Sequence, residues 1–251
     1  KIEIDIFKSL TSIKDKEHMY TIIELLKDIN NKNKPIDLLN KFYSEFSKYN
    51  NSDGKSLGIV LTPHHIVRLM TEILNINSND IVLDLCTGTG SFLLEAYKYG
   101  PKEIIGCEYQ HKLYTLFKCN IIIKGIENYI LIKGNCFENI FKSTKSLINP
   151  PYGTKQNNEL EFIIKQIESL ENEGECCAII PIGRVLNNKS NNKYKKIILD
   201  IAVLKYIIIC RESIFYPNAS VGCVIVYFKK IKNILDNMTG IIDYRNDGYV
   251  L

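Results

Sequence analysis

The chain has 251 residues, 45% hydrophobic and 24% charged, which excludes the disordered and fibrous classes and fits one soluble globular domain of generous size. Its 32 Lys+Arg against 28 Asp+Glu leave a formal charge of +4, too small either to announce or to exclude a nucleic-acid partner. The longest apolar stretch, 221–228, is far short of the ~20 residues of a membrane-spanning helix, and no signal-peptide order opens the chain.

The eight cysteines include no C-x-x-C pair and lie mostly in apolar runs, so neither a zinc site nor a disulfide framework is expected. A reducing, cytoplasmic setting follows, with no membrane and no metal. The chain opens on Lys rather than Met and stops shortly after an apparent strand, as an excised piece of something longer would.

From about residue 8 to 76 the apolar spacing is helical. Met19, Ile22, Ile23, Leu26 and Ile29 make one stripe, Leu38, Leu39, Phe42, Tyr43 and Phe46 a second, and Ile66, Val67, Leu69, Met70 and Ile73 a third. Residues 1–56 form a helical N-terminal segment in this reading, 57–232 a catalytic domain and 233–251 a tail. From residue 80 short β-type runs alternate with helical ones. Strands are expected at 81–85, 103–107, 129–132, 146–149 and 176–181, with helices from Ser91, from Gln110, across Leu160 to Leu170 and over 193–200. Such alternation predicts an α/β fold, a parallel, doubly wound sheet with helices on both faces. A closing pair, 205–210 and 222–229, joined by a loop holding Pro217 and Asn218, reads as an antiparallel addition.

Candidate chemistry gathers at strand ends. The segment Asp84-Leu-Cys-Thr87-Gly88-Thr-Gly90-Ser-Phe92 follows an apolar strand and opens a helix. Gly88 and Gly90 permit a tight turn and close backbone approach, and Asp84 can hold a cation or a hydroxyl. Leu93 stands where a dinucleotide fingerprint has its third glycine, which favours a phosphate-free cofactor such as S-adenosylmethionine. Glu108, about 20 residues further on at the next strand end, suits ribose hydroxyls. Tyr109 beside it either lies against a purine ring or packs.

Asn149-Pro150-Pro151-Tyr152, after the fourth strand, is the most specific tetrapeptide. Two prolines fix an extended turn and remove two donors, leaving carbonyls as acceptors beside an amide and an aromatic face. That set receives a planar group bearing –NH2: the amine donates to the Asn149 oxygen and the Pro150 carbonyl, and Tyr152 stacks on the ring. His64 and His65 face solvent or cap a helix rather than act as bases.

Taken in order, Leu57-Gly-Ile-Val-Leu-Thr62-Pro63, the Asp84 to Phe92 segment, Glu108, Gly134-Asn135 and Asn149 to Tyr152 resemble the motifs of adenine-N6 DNA methyltransferases of the gamma arrangement. The likeness is closest to the modification subunit of type I restriction-modification systems and fused relatives, and it runs from about residue 36 to 251. It implies a class I S-adenosylmethionine-dependent methyltransferase fold, Rossmann-like, mostly parallel, with an antiparallel final strand. By this resemblance Thr62 and Pro63 meet the methionine carboxylate, Asp84, Gly88 and Gly90 the methionine part, and Glu108 the ribose. Thr87, Phe92 and Cys136 join the cofactor set. Asn135 meets the adenine amine of the cofactor, Phe162 flanks its ring, and Phe215 backs a flipped target base. The alternative reading makes Phe215 a core residue of the final hairpin. Leu61 stands where the family has Tyr or Phe, and Asn135 where it often has Asp.

The expected function is methylation of the N6 amine of adenine in double-stranded DNA, the base flipped out of the stack, within a restriction-modification or related defence system. Since nothing after residue 230 is long enough to read sequence, a specificity subunit or a further C-terminal target-recognition domain is the implied partner. Two rivals are methylation of a protein glutamine, as by release-factor methyltransferases, and a catalytically silent scaffold of the same fold.

Overall fold

The computed structural model of the chain describes residues 61–153, 157–186, 189–212, 214–215, 221–231 and 238–246, all within the unit Val60–Leu251. The helical stripes expected between Met19 and Phe46, the segment before Leu61, and Tyr216, Pro217 and Asn218 lie outside these residues.

The described part opens with α1 (His64–Ile73), whose buried face carries Ile66, Val67 and Met70; the Pro63 carbonyl accepts from the Ile66 and Val67 N–H groups and starts its ladder. Then come β1 (Ile81–Asp84), α2 (Ser91–Ala96), β2 (Glu103–Glu108), α3 (His111–Ile123), β3 (Tyr129–Lys133) and β4 (Ser143–Ile148). The second half holds α4 (Glu159–Glu168), β5 (Leu170–Pro181), the single turn α5 (Ile182–Val185), α6 (Asn192–Ile201), β6 (Val203–Ile209), β7 (Cys223–Lys229) and β8 (Gly240–Asp243). A capping box starts α4: Asn158 accepts from the Leu160 N–H, and Glu161 reaches back to the Asn158 N–H.

Leu170, whose spacing fits the stripe of α4, instead begins β5. The helix stops at Glu168 because the Ser169 hydroxyl turns back onto the Lys165 carbonyl, and the chain re-enters the sheet at once.

One eight-stranded sheet results, in the order β3-β2-β1-β4-β5-β7-β6-β8. Every pairing is parallel except those of β7, which runs against both β5 and β6. So β6 shares the direction of the other strands, and β7 alone is reversed: the crossover through α6 carries β6 one place beyond β5, and β7 returns into the gap. A short eighth strand, β8, pairs parallel with β6.

Successive residues in each central strand feed opposite faces, the two-residue period of a pleated sheet. Val82, Ile104, Leu147, Cys177 and Ile179 join a core under α1, α2 and α3 with Met70, Leu93 and Phe117. Leu83, Ile105, Ile148, Cys176 and Ala178 join the other, with Ile163 and Ile167 of α4 and Ile198 of α6. Because both faces are covered, adjacent residues within the central strands are apolar, as in Ile81-Val82-Leu83 and Ile104-Ile105. Among the described residues no helix is long and apolar enough to cross a membrane, and no group of three or more His, Cys, Asp or Glu side chains could hold a metal ion.

Strand order reverses between β1 and β4, the place where open α/β sheets leave a crevice at their carboxyl ends. These strands pair only at Val82 with Lys145 and Leu83 with Ser146. Above that rung the fully buried Gln166 of α4 donates from Nε2 to the Leu83 carbonyl (2.9 Å) and the Leu147 carbonyl (3.3 Å). It thus ties together the two strands that end on Asp84 and Asn149.

Candidate active site

Asp84 closes β1 with 1% of its surface exposed. Its Oδ1 accepts from the Cys86 N–H at 2.9 Å, while Oδ2 is buried with no hydrogen-bond partner. Burial pushes the carboxyl up to about 8, against the Cys86 N–H and with a smaller push from the Glu108 charge. A cationic ligand end beside Asp84 would favour its ionised form and satisfy Oδ2.

The turn that follows is held from three sides. Gly88, at φ +55°, donates its N–H to Glu108 Oε2 at 2.8 Å, and a Cβ built there would meet nothing within 4 Å. Thr87 is buried, its N–H bonded to the Cys107 carbonyl, and Asn120 of α3 donates to the Thr89 carbonyl. Gly90, at φ +89°, leaves no room: a Cβ there would sit 1.9 Å from the Phe117 ring. The turn therefore packs tightly below and faces open space above. Phe92 lies in the core beneath it.

Glu108 ends β2, mostly buried. Its other oxygen accepts from the Gln110 N–H at 2.7 Å, and burial still raises its carboxyl above the usual range in spite of these N–H donors. Tyr109 is 75% exposed beside it, a ring presented to solvent rather than packed.

Beyond β3, Asn135 caps a short turn: Oδ1 accepts from the Phe137 N–H (3.1 Å) and Nδ2 donates to Glu138 (3.0 Å). One lone pair of that oxygen is thus already used. Cys136 is a buried free thiol, and the hydrogen bond it accepts from the Cys86 thiol is the main cause of its lowered pKa. Phe162 of α4 meets Phe137, ring centroids 4.9 Å apart and tilted by 55°. Phe137 was not singled out in the sequence, although an aromatic two residues past Asn135 was the available signal.

Asn149 follows β4 across the crevice. Its side-chain Nδ2 donates to the Thr62 hydroxyl at 2.9 Å, which joins the segment before α1 to the tetrapeptide. Pro150 is buried and Pro151 exposed. The Tyr152 hydroxyl, 3.4 Å from the Ile179 carbonyl, anchors the ring to β5, and burial drives its pKa strongly upward. Phe215 meets that ring edge-on, centroids 6.2 Å apart, but is itself only 1% exposed. It belongs to the core and meets Tyr152 from there.

Two residues that sequence reasoning missed secure the end of the tetrapeptide. Glu159, 1% exposed at the start of α4, accepts from the Gly153 N–H at 2.9 Å. Arg184 of α5 grips the same carboxylate, Nε lying 2.8 Å from Oε2 and Nη2 donating to Oε1 at 3.2 Å. Neither sits in a motif; only the fold brings them to the turn. His64 is largely exposed, 3.5 Å from Glu95 and away from these groups.

Asp84, Thr87, Gly88 and Glu108 thus share the β1–β2 side of the crevice, and Asn149 shares a bond with Thr62. The arrangement offers a buried acid with one oxygen lacking a partner, an open glycine turn and a clamped amide whose oxygen is not used by Thr62.

Comparison with known proteins gives this geometry a context. The chain is 34% identical over 246 residues to the type II restriction enzyme and methyltransferase RM.BcgI of Heyndrickxia coagulans, covering 87% of this chain and 39% of that protein. Among solved structures it resembles the methyltransferase subunit of a type I restriction-modification system from Streptococcus thermophilus, with a TM-score of 0.66, 21% identity and coverage of 74% of this chain and 47% of that one. A Listeria monocytogenes protein described as a class I S-adenosylmethionine-dependent methyltransferase superposes with a TM-score of 0.70 at 14% identity, over 86% of this chain and 75% of that one. The fold is therefore the Rossmann-like fold of class I methyltransferases, and the chain spans about two fifths of the length of RM.BcgI. The family model for N-6 DNA Methylase matches residues 34–161 and 138–250, so that every element from α1 to β8 falls within it, and the chain belongs to that family.

Proposed function

We propose that the chain transfers a methyl group from S-adenosylmethionine to the exocyclic N6 amine of adenine in double-stranded DNA, as the catalytic part of a restriction-modification or related defence system. The observation that carries this reading is Asn149, whose NH2 group donates to Thr62 and whose Oδ1 is thereby left to receive an amine. Beside it the Pro150 carbonyl offers a second acceptor. Family membership on both sides of the glycine turn supports DNA over a release factor as the methyl acceptor.

The residues present fit the cofactor on two counts: the Asp84 oxygen without a partner suits its ammonium group, and the space above Gly88 admits a chain lying close to the backbone. When bound, the cofactor supplies an electrophilic methyl on a sulfonium. Glu108 takes the ribose hydroxyls, Asn135 the adenine amine through its remaining lone pair, and Phe162 with Phe137 the adenine ring. Thr62 and Pro63 face the methionine carboxylate; Thr87 and Cys136 shape the wall, Gly90 and Phe92 support the turn from beneath, and Tyr109 overhangs it.

An adenine amine is a poor nucleophile because its lone pair is delocalised into the ring. Hydrogen bonds accepted from its two N–H groups at Asn149 Oδ1 and the Pro150 carbonyl pull the nitrogen toward tetrahedral geometry and free that pair, and orientation does most of the rest. Pro151 stiffens the turn. Tyr152 stacks on the extruded base and Phe215 supports Tyr152 from behind, which offsets part of the lost stacking. A specificity subunit or a further target-recognition region selects the sequence, and the cytoplasm is the expected compartment. Incubation with labelled cofactor and either DNA or release factor tests this reading and separates it from both rivals.

A further inference from the structure

Thr62 and Asn149 are 87 positions apart in sequence and belong to different motifs, yet their side chains share a hydrogen bond of 2.9 Å. An asparagine amide has two ends of opposite character that exchange by a half-turn about χ2. With Oδ1 toward the target amine Asn149 is an acceptor; turned over, it would set two N–H donors against that amine and repel it. Nothing within Asn149 itself chooses between these states. A hydroxyl can meet either end of an amide, so what selects is its proton: once the Thr62 O–H is donated to the methionine carboxylate that the functional reading sets against it, its oxygen can only accept, and it takes Nδ2. Thr62 is well placed to hold still, since Pro63 follows it and passes its carbonyl directly into α1.

We propose that Thr62 is a positioning residue, whose hydroxyl fixes the rotation of the Asn149 amide so that its oxygen faces the amine to be methylated. The inference rests on the function proposed above, and it assigns Thr62 a task in turnover beyond any contact with the cofactor. A residue that only helped to bind the cofactor would alter affinity and leave the rate at saturation unchanged.

The test compares Thr62→Val, which keeps the shape and deletes the hydroxyl, with Thr62→Ser, which restores it. Turnover on unmethylated plasmid DNA is measured at saturating S-adenosylmethionine, and cofactor affinity by calorimetry. Thr62→Val should lower kcat roughly ten- to a hundredfold, while Thr62→Ser stays within about threefold of wild type. In parallel, with 15N-asparagine label and the signal assigned through Asn149→Ala, the Asn149 side-chain NH2 should move toward free-amide shifts and exchange with solvent roughly tenfold faster in Thr62→Val. An unmoved amide signal, or a kcat within twofold of wild type alongside weaker cofactor binding, overturns the proposal. Should the wild-type chain transfer no methyl to DNA, the functional reading fails and the amide spectrum alone decides the role of Thr62.

Discussion

Asn149 and Asp84 stand on either side of the crevice and answer to different measurements. The Asn149 side chain is hydrogen-bonded to Thr62 and, in the proposed reading, faces the target amine rather than the cofactor, so Asn149→Ala should cut methyl transfer by ~10²-fold or more while leaving affinity for S-adenosylmethionine nearly intact; retention of a tenth of wild-type turnover would contradict this. Asp84 links the site to pH. With its carboxyl at about 8 in the fold and near 3.8 when unfolded, the folded chain holds a proton that the unfolded chain has lost. Its contribution to stability is therefore complete below the unfolded value and declines as pH rises toward 8. Binding of a cation beside it has the opposite slope, because it favours the ionised form. Cofactor affinity should rise from pH 6 to 8, with proton release seen as a dependence of calorimetric heat on buffer ionisation enthalpy, and Asp84→Asn should abolish both. A flat profile in the wild-type chain would count against Asp84 as the cation's partner.

At the scale of elements, the glycine turn and the α4 N-terminus each hold a strand end in place. A methyl group at Gly90 would collide with Phe117 and force an L-residue to φ +89°. Gly90→Ala should cost about 3 kcal/mol, read as a lower Tm together with weaker cofactor binding. Arg184→Met leaves the Glu159 carboxylate buried beside Gly153 without its counter-charge, and should destabilise the fold by about 3 kcal/mol; an unchanged Tm would show that the pair contributes little. The central strands were legible in sequence because burial on both faces sets apolar residues side by side, as in Ile81-Val82-Leu83 and Ile104-Ile105. Leu170 was not, because an apolar residue after a helical stripe fits either element, and only the turn at Ser169 decides. The reversal of β7 alone depends on where the crossover carries β6, a long-range choice that no local pattern records.

Across the whole molecule, the motifs separated by dozens of residues converge on one crevice because β1, β2 and β4 are neighbours with parallel ends. What the motifs marked, namely Asp84, Gly88, Glu108 and Asn149, was legible because each sits at the carboxyl end of a strand or in the turn just past it. What they did not mark, namely Glu159, Arg184, Gln166 and Phe137, acts by holding those groups, and any residue of suitable reach on a neighbouring helix or turn can do that. The central claim is the identity of the methylated group. It is tested most directly by incubating the chain, alone and with a sequence-recognising partner, with methyl-labelled S-adenosylmethionine and either unmethylated DNA or release factor. Digestion of the DNA to nucleosides should recover the label in N6-methyladenine, and Asn149→Ala should eliminate it. Label on the release-factor glutamine, label on another base, or no label from the wild-type chain under either condition would contradict the account.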